Sequence, residues 1–64
     1  MSWTDCMEKK IEKKYGDQVA ECVRGISKDN LEDVAKCIVS IIGDAASWEE
    51  VLADLTEWSV ECVF

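Results

Sequence analysis

"KKYGDQVAECV", Lys13 to Val23, decides how many helices this chain has. Up to Gly16, Met7, Ile11 and Tyr15 recur every four residues. Beyond Gly16, Val19, Cys22, Val23 and Ile26 continue the pattern at three- and four-residue intervals. That is one apolar stripe, with Lys9, Lys10, Lys13 and Lys14 largely outside it. Gly16 and Asp17 interrupt it. A helix-interior glycine costs about 1 kcal/mol relative to alanine, which a helix tolerates. Glycine followed by aspartate also reads as a helix terminator and a new N-cap. Because the stripe keeps its phase across Gly16, the spacing predicts one kinked helix. A break there, giving two short helices, is the alternative.

The same reading extends in both directions. At the start, Ser2 or Thr4 suits an N-cap, and Asp5 and Glu8 suit the positive end of the helix dipole. "GISKDN", Gly25 to Asn30, reads as a turn, with Asp29 as cap and Glu32 in capping-box position. Leu31, Val34, Ala35, Ile38, Ile41 and Ile42 then form a buried face, widened by Val39, and Gly43 stops the helix. "SWEE", Ser47 to Glu50, places Ser at the N-cap and Glu three residues on. After it Trp48, Val51, Leu52, Leu55, Trp58 and Cys62 fall on one side. Glu49, Glu50, Asp54, Glu57 and Glu61 fall on the other. Three amphipathic helices with short turns close over one core. The expected fold is all-α: a small three-helix bundle spanning 1–64 as a single domain, or four short helices if the first block breaks at Gly16.

A chain of 64 residues buries a modest share of its surface and needs reinforcement. Cys6, Cys22, Cys37 and Cys62 supply the means, an even set in which each member lies on or beside an apolar stripe. Disulfides are therefore expected. Two pairings compete: the nested set, Cys6–Cys62 with Cys22–Cys37, and the set Cys22–Cys62 with Cys6–Cys37. A simple three-helix bundle puts the ends of its first and third helices at one pole, which suits Cys22–Cys62. Cys6 and Cys37 then lie beyond the roughly 7 Å between Cα atoms that a bridge spans, unless the first block folds back at Gly16. The nested set is favoured. Paired cysteines point to an oxidising, extracellular setting. Against that, the opening "MSWTDCMEKK" has no apolar core of the kind a signal peptide carries.

Composition excludes several chemistries. The chain has no histidine, so Ser–His and Cys–His catalysis are impossible. The cysteines lack the short spacing of zinc or iron–sulfur ligands and form no Cys-x-x-Cys. No phosphate-binding loop, dinucleotide fingerprint or calcium loop occurs. Carboxylate pairs such as Asp54 with Glu57 lie on a solvent face. No enzyme activity, cofactor or metal is expected. No apolar run of about 18 residues exists to span a membrane.

The net charge is −7 and is unevenly spread. Residues 1–28 carry five acids and six bases, a balance of +1, whereas residues 29–64 carry nine acids and only Lys36, a balance of −8. Direct nucleic-acid binding is disfavoured, because phosphate contacts need clustered bases.

"YGDQVAEC", Tyr15 to Cys22, resembles the YGNGV-x-C signature of pediocin-like bacteriocins at Tyr15, Gly16 and Val19. Asp17 and Gln18 depart from it, the spacing to Cys22 is one residue longer, and those peptides are cationic. No family is assigned on it.

What remains is a non-enzymatic protein that acts by binding another protein, a partner with a basic surface being the natural complement. The expected surface is the last helix, at Trp48, Glu49, Asp54, Glu57, Trp58 and Glu61. Exposed tryptophans there would be anchors, although core packing is the plainer role for Trp48 and Trp58. The lysine run Lys9–Lys14 reads as a solvated face or as the counterpart of that acidic helix, within one molecule or across a homodimer. Two other readings fit the same residues. One is a secreted, stapled peptide such as a signal, toxin or bacteriocin-like agent. The other is an acidic inhibitor that imitates nucleic acid, which would require free thiols and acids concentrated on one exposed face.

Overall fold

The computed structural model describes residues 2–43 and 47–63. Four helices follow in order: α1 (Trp3–Tyr15), α2 (Ala20–Val23) entered through a 3-10 turn at Asp17–Val19, α3 (Leu31–Ile42) and α4 (Trp48–Glu61). No strand occurs among the described residues. The body measures 33 × 20 × 17 Å.

Gly16 breaks the first block, so the expected kinked helix is corrected to two separate ones. Its backbone sits at φ 90° and ψ 166°, a region open essentially to glycine alone. The Gly16 N–H donates to the Glu12 carbonyl at 2.9 Å and closes α1, and the Gly16 carbonyl accepts from the Val19 N–H at 3.4 Å and opens the next turn. The apolar spacing persists across the break because both arms face the same core. Met7 and Ile11 before the glycine, and Val19 and Val23 after it, are all fully buried. A chain that folds back keeps its stripe inward as well as one that runs straight on.

The caps divide the same way. Ser2, not Thr4, caps α1, its Oγ accepting from the Asp5 N–H at 3.1 Å. Ser47 caps α4 as expected, its Oγ accepting from the Glu50 N–H at 3.3 Å. Asp29 does not cap α3. The N-cap is Asn30, and its side chain makes no cap bond. Its Oδ1 accepts from the Ser27 N–H at 2.8 Å and its Nδ2 donates to the Gly25 carbonyl at 2.9 Å. An amide can donate and accept at once, which a carboxylate cannot, so Asn30 ties the turn together from inside.

The core joins all four helices through Met7, Ile11, Val19, Val23, Ile38 and Leu55. Leu31, Val39, Ile42, Leu52 and Trp58 pack partly buried against it. Ile41, expected inside, is 40% exposed because it lies in the last turn of α3, at the edge of the arc centred on Val34, Ala35 and Ile38.

A Cβ at Gly16 would meet nothing nearer than Gln18 Cγ at 4.0 Å, so Gly16→Ala is opposed by backbone conformation and not by crowding. The expected cost is about 1–3 kcal/mol. Gly25 has no positive φ, and a methyl group at its Cα would meet no heavy atom within 4 Å. Gly25→Ala should therefore be neutral or stabilising by up to about 1 kcal/mol. Paired urea denaturations of the two variants check this.

Candidate functional site

All four cysteines are bridged, Cys6 to Cys62 and Cys22 to Cys37, with Cα–Cα distances of 5.7 and 5.6 Å. This is the nested set. α1 and α4 run antiparallel, as Trp3 against Ser59 and Lys14 against Asp54 record, which brings Cys6 beside Cys62. The reversal at Gly16 lays α2 against α3, which brings Cys22 beside Cys37. Cys6, Cys22 and Cys62 are buried, while Cys37 is partly exposed.

The polar chemistry of the molecule gathers where α1 meets α4. The Tyr15 hydroxyl donates to Asp54 Oδ2 at 2.6 Å, and the Lys14 ammonium donates to the same oxygen. Lys10 pairs with Glu61 at 3.0 Å. The Tyr15 and Trp58 rings meet edge to face, their centroids 6.3 Å apart, and the Lys14 ammonium lies 5.5 Å from the first ring and 6.0 Å from the second. At the far end the Trp3 indole N–H donates to the Ser59 carbonyl at 3.1 Å. Of the two readings of the lysine run, the structure has Lys10 and Lys14 facing the acidic last helix of their own chain.

This arrangement shifts two titrations. Burial pushes the Tyr15 phenol up from its ordinary 10.0, and the hydrogen bond to Asp54 and the Asp54 and Glu50 charges push it further. Burial would also push Asp54 up. The hydrogen bonds from Lys14 and Tyr15, with the Lys14 charge, outweigh it and hold the carboxyl below its ordinary 3.8.

The six residues expected to form an interaction surface separate into groups. Asp54, Trp58 and Glu61 turn toward α1 and are engaged there. Trp48 is half-buried beneath the Lys36 ammonium, 4.9 Å from its ring centroid. Glu49 and Glu57 are exposed. Tyr15 is the residue that sequence reasoning missed. Its periodicity marks it as apolar stripe, and only the side-by-side placement of α1 and α4 reveals a partner for its hydroxyl.

Concave surface is shallow. One cleft is lined by Lys10, Lys13, Lys14 and Trp58, another by Asp5, Glu8, Lys9 and Glu12. Among the described residues no three His, Cys, Asp or Glu side chains gather as a metal-ion site. No helix among them is long and apolar enough to cross a membrane. Compared with protein-family models, curated proteins and solved structures, the chain matches none. The fold itself defines the class: a small all-α protein held by two disulfides.

The bridges and the Tyr15–Asp54 contact each lead to a measurable outcome. The Cys6–Cys62 bridge closes a separation of 56 residues and Cys22–Cys37 one of 15. Loop-closure entropy then gives about 4 kcal/mol for the first and about 3 kcal/mol for the second. C6A/C62A should therefore lower the urea midpoint more than C22A/C37A, and full reduction should abolish cooperative unfolding.

Tyr15 is the sole tyrosine, so near-ultraviolet absorbance titrates it alone. Its ionisation should fall above 10.0 in the folded protein and move back toward that value in Asp54→Asn. The signs for stability follow. The Asp54 contribution is present above the ordinary aspartate range and lost as pH falls through its lowered folded value. The Tyr15 contribution is present below the ordinary phenol value and lost as pH rises through its raised folded value. Wild type should show a plateau between those limits, and a D54N/Y15F double variant should lose both flanks.

Proposed function

We propose that this chain is a non-enzymatic binding protein that works in an oxidising compartment as a rigid stapled body and docks on a protein with a basic surface. The carrying observation is that the cysteines, the most reactive groups in a chain without histidine, are all consumed in bridges. No thiol is left to act as nucleophile or redox centre. The bridges also support the secreted-peptide reading, a signal, toxin or bacteriocin-like agent, since it too needs a fold that resists proteolysis outside the cell. They weigh against the nucleic-acid mimic, which needs free thiols in a reducing cell.

The charge balance supports a basic partner. Much of the positive charge of α1 is directed at α4 through Lys10 and Lys14, while Glu49, Glu50 and Glu57 stay exposed.

Two measurements test the proposal. Intact mass of the native protein after denaturing alkylation without reductant should show no added alkyl group, and a gain of four would overturn the oxidising-compartment reading. A photo-crosslinker placed at Glu57 should capture a basic protein from the native source, and one placed at Glu21 should not. Equal capture at both positions would overturn the binding reading.

A further inference from the structure

α4 carries a second seam that its own fold does not use. Helical residues advance by about 100°, so α4 divides into arcs. Val51, Leu55 and Cys62 point into the core. Asp54, Trp58 and Glu61 meet α1. Opposite them, Glu49, Ala53, Thr56 and Val60 follow one another at intervals of four, three and four residues. Val63 lies three residues further on, just past the end of the helix, and every one of the five is exposed. That is the spacing of a coiled-coil a/d line. From Ala53 onward it is uncharged. Val60 and Val63, at 71% and 57%, are the most exposed large apolar side chains among the described residues. Ala53 and Thr56 are small enough for another helix axis to come close.

We propose that this seam is the docking line for a cationic amphipathic helix of a protein partner, which lays its apolar stripe along Ala53–Val63 and sets its Lys or Arg side chains against Glu49, Glu50 and Glu57. This rests on the binding reading above and names the partner's chemistry. Charge selects the occupant. Glu49, Glu50 and Glu57 flank the line or begin it, are exposed, and make no ion pair among the described residues. A second copy would bring another −7 and set acid against acid. An anionic membrane would be repelled by the same flank. A helix bearing basic residues beside an apolar stripe satisfies both features, in the helix-in-groove mode.

The test uses the intact oxidised protein and two synthetic helical peptides, each with leucine along one face, one flanked by lysine and the other by glutamate. Calorimetry should show saturable binding of the lysine peptide at least about tenfold tighter than of the glutamate peptide. V60S/V63S should weaken it about tenfold, because the apolar anchors are gone. E49Q/E57Q should weaken it similarly and flatten its salt dependence. E21Q/D29N, the same charge change on exposed residues away from the seam, should stay within about twofold. All three variants alter exposed side chains, and circular dichroism confirms that they remain folded. No binding by wild type, or an equal loss in the E21Q/D29N control, overturns the seam. So does dimerisation of the free protein that V60S/V63S abolishes. If the Glu57 crosslinker captures a basic partner whose binding V60S/V63S leaves intact, the binding reading stands and the seam alone falls.

Discussion

Cys22 reaches Cys37 only because the chain reverses at Gly16. The glycine holds φ at 90° with ψ at 166°, a conformation that a side chain resists at a cost comparable with a large share of a small domain's stability. From that single backbone state the rest follows. α2 is turned onto α3, Val19 and Val23 enter the core that Met7 and Ile11 began, and two sulfurs 15 residues apart in sequence come within bonding range. The second bridge depends on the same event less directly. With the first block folded back, α1 alone lies antiparallel to α4, and Cys6 falls opposite Cys62.

The contact between α1 and α4 combines groups of unequal worth. Lys10–Glu61 and Lys14–Asp54 are partly solvated pairs, and such pairs contribute between nothing and about 1 kcal/mol each. Tyr15 matters more for specificity. Its ring packs on Trp58 while its hydroxyl donates to Asp54, so one residue serves the core with its body and the polar seam with its tip. Asp54 accepts from both Lys14 and Tyr15. Moving α4 along α1 by one turn would separate those three groups together. The network therefore sets helix register more than it adds stability, while the bridges and the buried apolar residues hold the fold.

The helices were largely legible in the sequence because each apolar face keeps helical spacing and because "SWEE" carries a complete cap signal at Ser47. That the four cysteines pair was legible from their even number and their placement on those faces, and the nested set is the favoured of two pairings. Its cause, the reversal at Gly16, was one of two features that were not legible. Periodicity is blind to a reversal that preserves phase, so the stripe through Gly16 is equally consistent with a straight helix and with a folded one. The glycine–aspartate pair was the only local sign. Likewise, Asp29 and Asn30 are both competent caps, and what separates them is that Asn30 can donate to Gly25 while accepting from Ser27. The candidate site was legible only by composition. An acidic last helix with two tryptophans is plain to read, but which of its residues face α1 depends on the packing angle between helices.

That packing changes the meaning of the acidic helix. Seen as a list of residues, Trp48, Glu49, Asp54, Glu57, Trp58 and Glu61 form one surface. In the fold, Asp54, Trp58 and Glu61 serve the molecule's own cohesion, and a partner that claimed them would have to displace Lys14, Tyr15 and Lys10. Each displacement would leave a charge or hydroxyl short of its partner, a cost that binding must offset. The outer arc carries no such obligation. Val60 and Val63 already stand in water, and covering them releases that water without breaking any internal contact. In a body made rigid by two bridges, ordering on association is also slight, so less of the interaction energy is lost to entropy. The face of α4 that contributes least to folding is for that reason the one best placed to bind.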